Sequence, residues 1–275
     1  MGFRIGTNVP AISAQRNLAH SEKRVSHATR ALASGTRIVE AGDDAAGFAI
    51  AENLRGQAAS LNIAKYNADN AKGLAQVAEG GLSEQNNILV RLREIAMQGA
   101  SDTVGDTERG YLDQEFQQLL GEFNRIAETT TFGQKKLLTG VNKELEFHIG
   151  TSGAEQDIIR FKLDADTRAS SLKIDELSVA ERGDAVSVLK DLDSALQSVT
   201  QARAGFGAIQ SRLEIAGNSV DLQRENILAA RSRIADADVA YETSELVQGQ
   251  IQQEFGVSVL AQANQGSQRA LKLLI

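Results

Sequence analysis

The chain has no cysteine, no tryptophan and a single proline, Pro10, among 275 residues. Without cysteine there is no disulfide, no thiolate zinc site and no thiol nucleophile. With its one proline near the start, almost nothing in the sequence forbids long helices. Aromatic residues are scarce, at 4%, although hydrophobic residues reach 42%. The apolar content is therefore Ala, Leu, Ile and Val, which suits close helix-to-helix packing. No run is apolar and long enough to span a membrane. The stretch MGFRIGTNVPAIS lacks the continuous apolar core and small-residue cleavage site of an ordinary secretory signal. If the chain leaves the cell, another route is expected. The net charge of −7 argues against a general nucleic-acid binder, which would present a basic face.

Seven-residue repeats fill what remains. Ala11, Leu18, Val25 and Leu32 share one helical seam. Ser34–Gly35 is a stop for that helix, since glycine tolerates the left-handed cap conformation. A second helical run extends from about Asp44 toward Ala100, with Ile88, Leu92 and Ile95 on one face. SDTVGDTERG reads as a connection to a third helix that carries Leu112, Phe116, Leu119, Phe123 and Ile126. In the middle, LEFHI and DIIRFKL flank GTSGAEQ and predict a β-hairpin. The C-terminal third has the longest repeat: Leu192, Val199, Phe206, Leu213, Val220, Ile227, Ile234 and Tyr241. Ala195, Ala202, Ile209, Ala216, Ala230 and Ala237 stand three positions later, a mostly small-residue row that lets helices approach closely. The expected fold is mainly α, with long antiparallel helices in coiled-coil bundles and a small β-hairpin excursion in mid-chain.

Charge is divided between the ends. Residues 1–40 hold six Lys/Arg against two Asp/Glu, and residues 234–268 hold five Asp/Glu with no Lys or Arg. The two ends are expected to associate, within one chain or between copies. Charge then selects the partner more than it stabilises the contact.

Chemistry-bearing patterns are few. In GDDAAGFAIAENL, Asp43 and Asp44 precede a helical run, where a carboxylate accepts from free first-turn N–H groups and suits the positive end of the dipole. Both are read as helix caps. A catalytic pair would need a nearby His or patterned acid, and none is present. Asp236 and Asp238 begin like a calcium loop, but Tyr241 stands where glycine is needed and Val247 where the bidentate Glu belongs. Gly205–Phe206–Gly207 lies inside the heptad run and follows no strand, so it is no dinucleotide fingerprint. His20, His27 and His148 have no metal-ligand spacing. No enzyme, cofactor or metal reading survives with named residues.

Four stretches, taken together, closely resemble bacterial flagellin, the subunit of the flagellar filament. They are ASGTRIVEAGDDAAGFAIAENLRGQ, NADNAKGLAQVAEGGLSEQNNILVRLREIAMQ, TTFGQKKLLTG and ARSRIADADVAYETSELVQGQIQQEFGVSVLAQANQGSQRALKLL. The resemblance covers both ends and nearly the whole chain, in a short form without large outer variable domains. It implies a structural subunit that self-assembles head-to-tail into the filament used for motility. The runner-up readings are a hook–filament junction protein and, from another class, a monomeric coiled-coil adaptor. The implied division is an inner coiled-coil domain from 1–43 and 234–275, an outer shell domain from 44–140 and 181–233, and a hairpin with its connection at 141–180. Subunit packing falls to Leu18, Val25, Leu32, Ile227, Ile234, Tyr241, Leu260 and Leu271. The implied partners are other copies, the flagellar export apparatus, a secretion chaperone, the filament cap and hook-associated proteins. The implied location is extracellular. The segment Arg91-Leu-Arg93-Glu94-Ile95-Ala96, with Glu115 on the next helix, resembles the family's pattern for the flagellin-sensing Toll-like receptor; it implies Arg91, Ile95 and Glu115 as contacts.

Overall fold

The computed structural model describes residues 7–140 and 143–272, with side chains through residue 265 apart from that of residue 143. In chain order come α1 (Val9–Ser34), α2 (Ala45–Gly99) and α3 (Asp106–Thr129). A short hairpin follows, β1 (Thr131–Phe132) and β2 (Lys135–Lys136), turning at Gly133 with φ 61°. The longer hairpin pairs β3 (Lys143–His148) with β4 (Ile158–Leu163) around a 3-10 turn at Glu155–Asp157. Then come α4 (Arg182–Ala235) and α5 (Val239–Lys272). Both strand pairs are antiparallel and two-stranded. The chain forms two compact units, Met1–Gly56 with Asn226–Ile275, and Gln57–Glu225.

The unit of residues 57–225 has a leucine and phenylalanine core. Leu82, Leu89, Leu92 and Ile95 of α2, Phe116 and Phe123 of α3, and Leu192, Val199, Phe206, Leu213 and Val220 of α4 are all buried. The heptad positions of α4 from Leu192 to Val220 are thus spent inside this unit. Ion pairs along α2 and α4 keep the same period: Lys65–Asp221 at 3.3 Å, Lys72–Glu214 at 3.2 Å and Arg93–Asp193 at 2.8 Å. Moving seven residues up α2 moves seven down α4 for the first two pairs, as antiparallel helices require. Exposed pairs each contribute only about 0–1 kcal/mol, so they mark register more than they supply stability.

Two buried polar side chains join elements here. Arg109 donates from Nε to the Gly99 carbonyl at 2.9 Å, and from its terminal nitrogens to the Ser101 carbonyl and to Asp106. It thereby satisfies the Gly99 carbonyl at the end of α2 and ties down the turn that follows through Ser101. Gln85 donates from Nε2 to the Phe123 and Thr167 carbonyls at 3.1 and 3.3 Å. The longer hairpin is fixed by Phe161, whose ring lies 5.1 Å from that of Phe206, and by Asn67, which donates to the His148 carbonyl.

The other unit is built at the chain ends. Asn8 caps α1, its Oδ1 accepting from the Ala11 N–H at 3.1 Å, and Pro10 sits in the first turn where no N–H is needed. The helix stops at Gly35 in the left-handed conformation, φ 70°, with its N–H on the Ala31 carbonyl. One expectation fails. The heptads predicted to run unbroken through Tyr241 are interrupted, because α4 ends at Ala235 and α5 begins at Val239. The residues between are taken by the loop after α1: the Arg37 N–H donates to the Ala235 carbonyl at 2.7 Å and the Ala237 N–H to the Gly35 carbonyl at 3.0 Å. Asp238 then starts α5 afresh, its Oδ1 accepting from the N–H groups of Ala240 and Tyr241.

Candidate functional site

The pairing of α1 with α5 is the feature with functional content. Its buried row on α1 is small: Ala14, Ser21 and Ala28. On α5 the matching row is Gly249 and Gly256, again seven residues apart. A Cβ on Gly249 would lie 2.6 Å from Val25 Cγ2, and 3.7 and 3.8 Å from the backbone N of Val25 and O of Ser21. A Cβ on Gly256 would lie 3.4 Å from Leu18 Cδ1. Val25 faces Gly249 and Leu18 faces Gly256, so the helices run antiparallel in heptad register. One heptad on, Asn8 donates to the Ala263 carbonyl at 3.1 Å. Backbones this close leave no room for a second row of large side chains.

This arrangement redistributes the residues expected to pack between subunits. Leu18 and Val25 meet α5 of their own chain. Leu32, Ile227, Ile234 and Leu260 are half-buried. Tyr241 is 61% exposed, on the far side of the break after α4. The side chain of Leu271 lies outside those described. Other apolar residues of α5 face solvent instead: Val247 and Ile251, each 48% exposed, and Phe255, 68% exposed. They follow one another at four-residue spacing, a signal present in the sequence but masked by the longer heptad seam. An open groove of about 920 Å³ runs along this face, lined by Ala240, Thr243, Val247 and Ile251 among others. Val9 and Ile12 of α1 are exposed as well.

The charge expectation is met in part. The ends of the chain do associate, yet among the described residues no cation of α1 pairs with a carboxylate of α5. Arg24 donates to Gln252, Arg30 pairs with Glu40, and Arg37 reaches the Ile234 carbonyl. Small residues, and not charge, bring the two helices together within the chain.

Asp43 and Asp44 take separate roles. Asp44 Oδ1 accepts from the Gly47 N–H at 2.8 Å, which caps α2. Asp43 faces backward: its Oδ2 accepts from the N–H groups of Glu40 and Val39 at 2.9 and 3.0 Å and lies 3.2 Å from His27 Nε2. It closes the loop onto α1 and does not cap α2, a correction to the sequence reading, because the loop turns its own N–H groups toward it. The Glu40 N–H, followed by that of Val39 and by His27, holds the Asp43 carboxyl below its ordinary value of 3.8.

Arg91 is exposed, pairing with Glu115 at 2.8 Å and Glu94 at 3.0 Å, and Glu115 above all raises its pKa. Ile95 is only 1% exposed and belongs to the core. The inward face shared with Leu92 decides its direction, so it is not on the surface a receptor would meet. Among the described residues no group of three or more His, Cys, Asp or Glu is placed to hold a metal ion.

A chain whose ends pair through small residues, and whose outer faces keep large apolar side chains in solvent, is a coiled-coil assembly protein. The model of the bacterial flagellin N-terminal helical region matches residues 5–143, and that of the C-terminal helical region matches residues 189–274. Flagellin of Halalkalibacterium halodurans is 36% identical over 271 residues, covering 98% of this chain and 99% of that one. Flagellin of Bacillus subtilis is 34% identical over 304 residues, covering 99% and 100%. The crystal structure of Bacillus cereus flagellin aligns at a TM-score of 0.51 and 32% identity, over 60% of this chain and 94% of that one. A putative flagellar hook-associated protein from Vibrio parahaemolyticus aligns at 0.59 but 12% identity, over 70% and 100%, a likeness of fold alone. This chain belongs to the bacterial flagellin family. It is a structural subunit that self-assembles into the flagellar filament.

The Asp43 loop makes a pH-dependent prediction. The folded pKa lies below the unfolded one, so the contact stabilises fully above the unfolded value and is lost as pH falls through the folded value. Asp43→Asn should lower the thermal midpoint at pH 7, and the gap to the parent should shrink below about pH 4. Circular dichroism melts across pH check this; a gap that stays constant into acid would contradict it.

Proposed function

We propose that this subunit is exported unfolded through the hollow flagellum by the flagellar type III apparatus, held beforehand by a secretion chaperone. It then adds to the growing tip beneath the filament cap, beyond the hook-associated proteins, and ends as an extracellular polymer. Heterologous contacts that do not close give an open helical filament. The observation that carries the reading is the exposure of Val247, Ile251 and Phe255 on α5. An apolar face of that kind on a helix with a narrow, small-residue seam calls for a further copy to cover it. The lack of cysteine leaves no disulfide to break before export. No observation favours a hook–filament junction role or a monomeric adaptor. Nor does any favour catalysis; the family's role is structural.

The same reading extends to the animal receptor. The surface there is the Arg91–Glu115 pair, with Ile95 only holding α2 in place from within. Charged groups of this kind set partner choice more than raw affinity.

Two results are expected. Negative-stain electron microscopy of purified protein, seeded in ammonium sulfate to strengthen apolar burial, should show long hollow filaments of uniform width. Discrete small particles under every salt and pH would contradict the polymer. Substituting both Arg91 and Glu115 by Ala should reduce receptor signalling by monomer at least about tenfold. Unchanged signalling would remove the receptor assignment.

A further inference from the structure

A cavity of about 370 Å³ opens within the unit at the chain ends, between α1, the loop that follows it and the first turns of α5. The guanidinium groups of Arg24 and Arg37 and the imidazole of His27 line it, against the carboxylates of Asp43, Asp44, Glu242 and Glu245. The basic groups are all directed elsewhere. Arg24 donates to Gln252. Arg37 donates to the Ile234 carbonyl at 2.7 Å and lies 3.9 Å from Asp44. His27 lies 3.2 Å from Asp43. Two of the carboxylates are engaged as well, since Asp43 accepts from the loop N–H groups and Asp44 caps α2. Glu242 and Glu245 remain. Among the described residues neither side chain has a hydrogen-bond or ion-pair partner. Glu242 is nevertheless only 4% exposed. A carboxylate withdrawn so far from water loses its hydration with no protein donor in return. The start of α5 does not supply one: the N–H groups of Ala240 and Tyr241 are given to the Asp238 side chain, and that of Glu242 to the Asp238 carbonyl. Glu245, half-buried one turn on, deepens the negative field.

We infer that this cavity binds a small organic cation that carries a guanidinium or primary ammonium group. Such a group presents several N–H donors on one charge, so it satisfies Glu242 and Glu245 together. The two carboxylates stand three residues apart on α5, close enough to share one ligand. Tyr241, which also lines the cavity and is 61% exposed, offers the cation an aromatic face. A bare metal ion is a poorer fit. Among the described residues no three His, Asp or Glu side chains converge to ligate one, and a hard cation asks for about six oxygens. An anion is disfavoured by the excess of carboxylates over guanidinium groups. The volume lies within the range of small-molecule sites. The site is complete within one chain, so it stands or falls apart from the polymer reading.

The probe is agmatine, which bears both a guanidinium and a primary ammonium group. Its equilibrium binding to the full-length protein is measured at physiological ionic strength, on monomer and on sedimented filaments, because the unit at the chain ends is thinly packed by itself. Saturation at one molecule per chain in either form is expected. Glu242→Gln keeps the shape and removes the charge, and should weaken binding at least about tenfold. Tyr241→Ala should weaken it about threefold. Glu254→Gln, on the same helix but outside the cavity, should leave it unchanged. A capped Gly-Arg-Gly peptide in place of agmatine separates the sources. Binding as tight as that of agmatine assigns the arginine side chain of a protein partner, weaker binding assigns a free small cation, and both support the site. No saturable binding to either form overturns the inference. So does full displacement of agmatine by an equal concentration of magnesium, or an equal loss in Glu242→Gln and Glu254→Gln, since either marks unspecific attraction to an acidic surface. Should Glu242→Gln lose its helical signal, Glu245→Gln decides: binding weakened at least about threefold supports the inference, and unchanged binding overturns it.

Discussion

Everything at the chain ends depends on how closely α1 and α5 approach. Gly249 and Gly256 have no side chain, and Val25 and Leu18 occupy the space a Cβ would take. A medium-sized residue on one helix therefore fits against the bare backbone of the other, once per heptad. The register follows, because a shift of even a few residues sets Val25 or Leu18 against side chains instead of glycine. It also fixes which sides of both helices turn away from the pair. The glycine row thus determines the outer faces that are free for another copy, although it belongs to neither of them.

The two units are stabilised by different means. The unit of residues 57–225 buries phenylalanine and leucine from three helices and a hairpin, each side chain worth roughly 1.5–3 kcal/mol relative to exposure. It has the composition of an independent core. The unit at the chain ends buries mainly Ala14, Ser21, Ala28 and Ala31 on α1, which remove little apolar area from water. A thin seam with exposed Val247, Ile251 and Phe255 is what a segment looks like when much of its burial is completed by neighbours. For a subunit that polymerises, that division leaves apolar surface on the terminal pair for other copies to cover.

Much of this was legible in the sequence because it rests on period. The α4 seam from Leu192 to Val220 is buried as its spacing predicted, α1 stops at Gly35, and LEFHI and DIIRFKL pair as a hairpin. Period also misled. Ile234 and Tyr241 keep the seven-residue spacing across a break, but beyond it the inward positions of α5 are Glu242, Gly249 and Gly256, one residue out of phase with Tyr241. The aspartate at 238, rejected as a calcium ligand, was the available sign of a new helix start. Ile95 belongs to two patterns at once, and the buried face shared with Leu92 prevails over the receptor motif. Asp43 and Asp44 look alike in sequence; only the path of the preceding loop separates a loop clasp from a cap. The ion pairs between α2 and α4 and the buried Gln85 needed knowledge of which helices meet, which periodicity does not contain.

The most direct test of the central claim uses the absence of cysteine. Two cysteines introduced at Val25 and Gly249 are the only ones in the chain, so any intramolecular disulfide reports the α1–α5 register. Purified protein is oxidised gently, and cross-linking within one chain is read as a mobility shift on non-reducing gels. Rapid and nearly complete bond formation is expected for the 25/249 pair and not for 25/256, which lies one heptad out of register. Equal cross-linking of both pairs, or preference for 25/256, would contradict the glycine-set pairing on which the account of the assembly face stands.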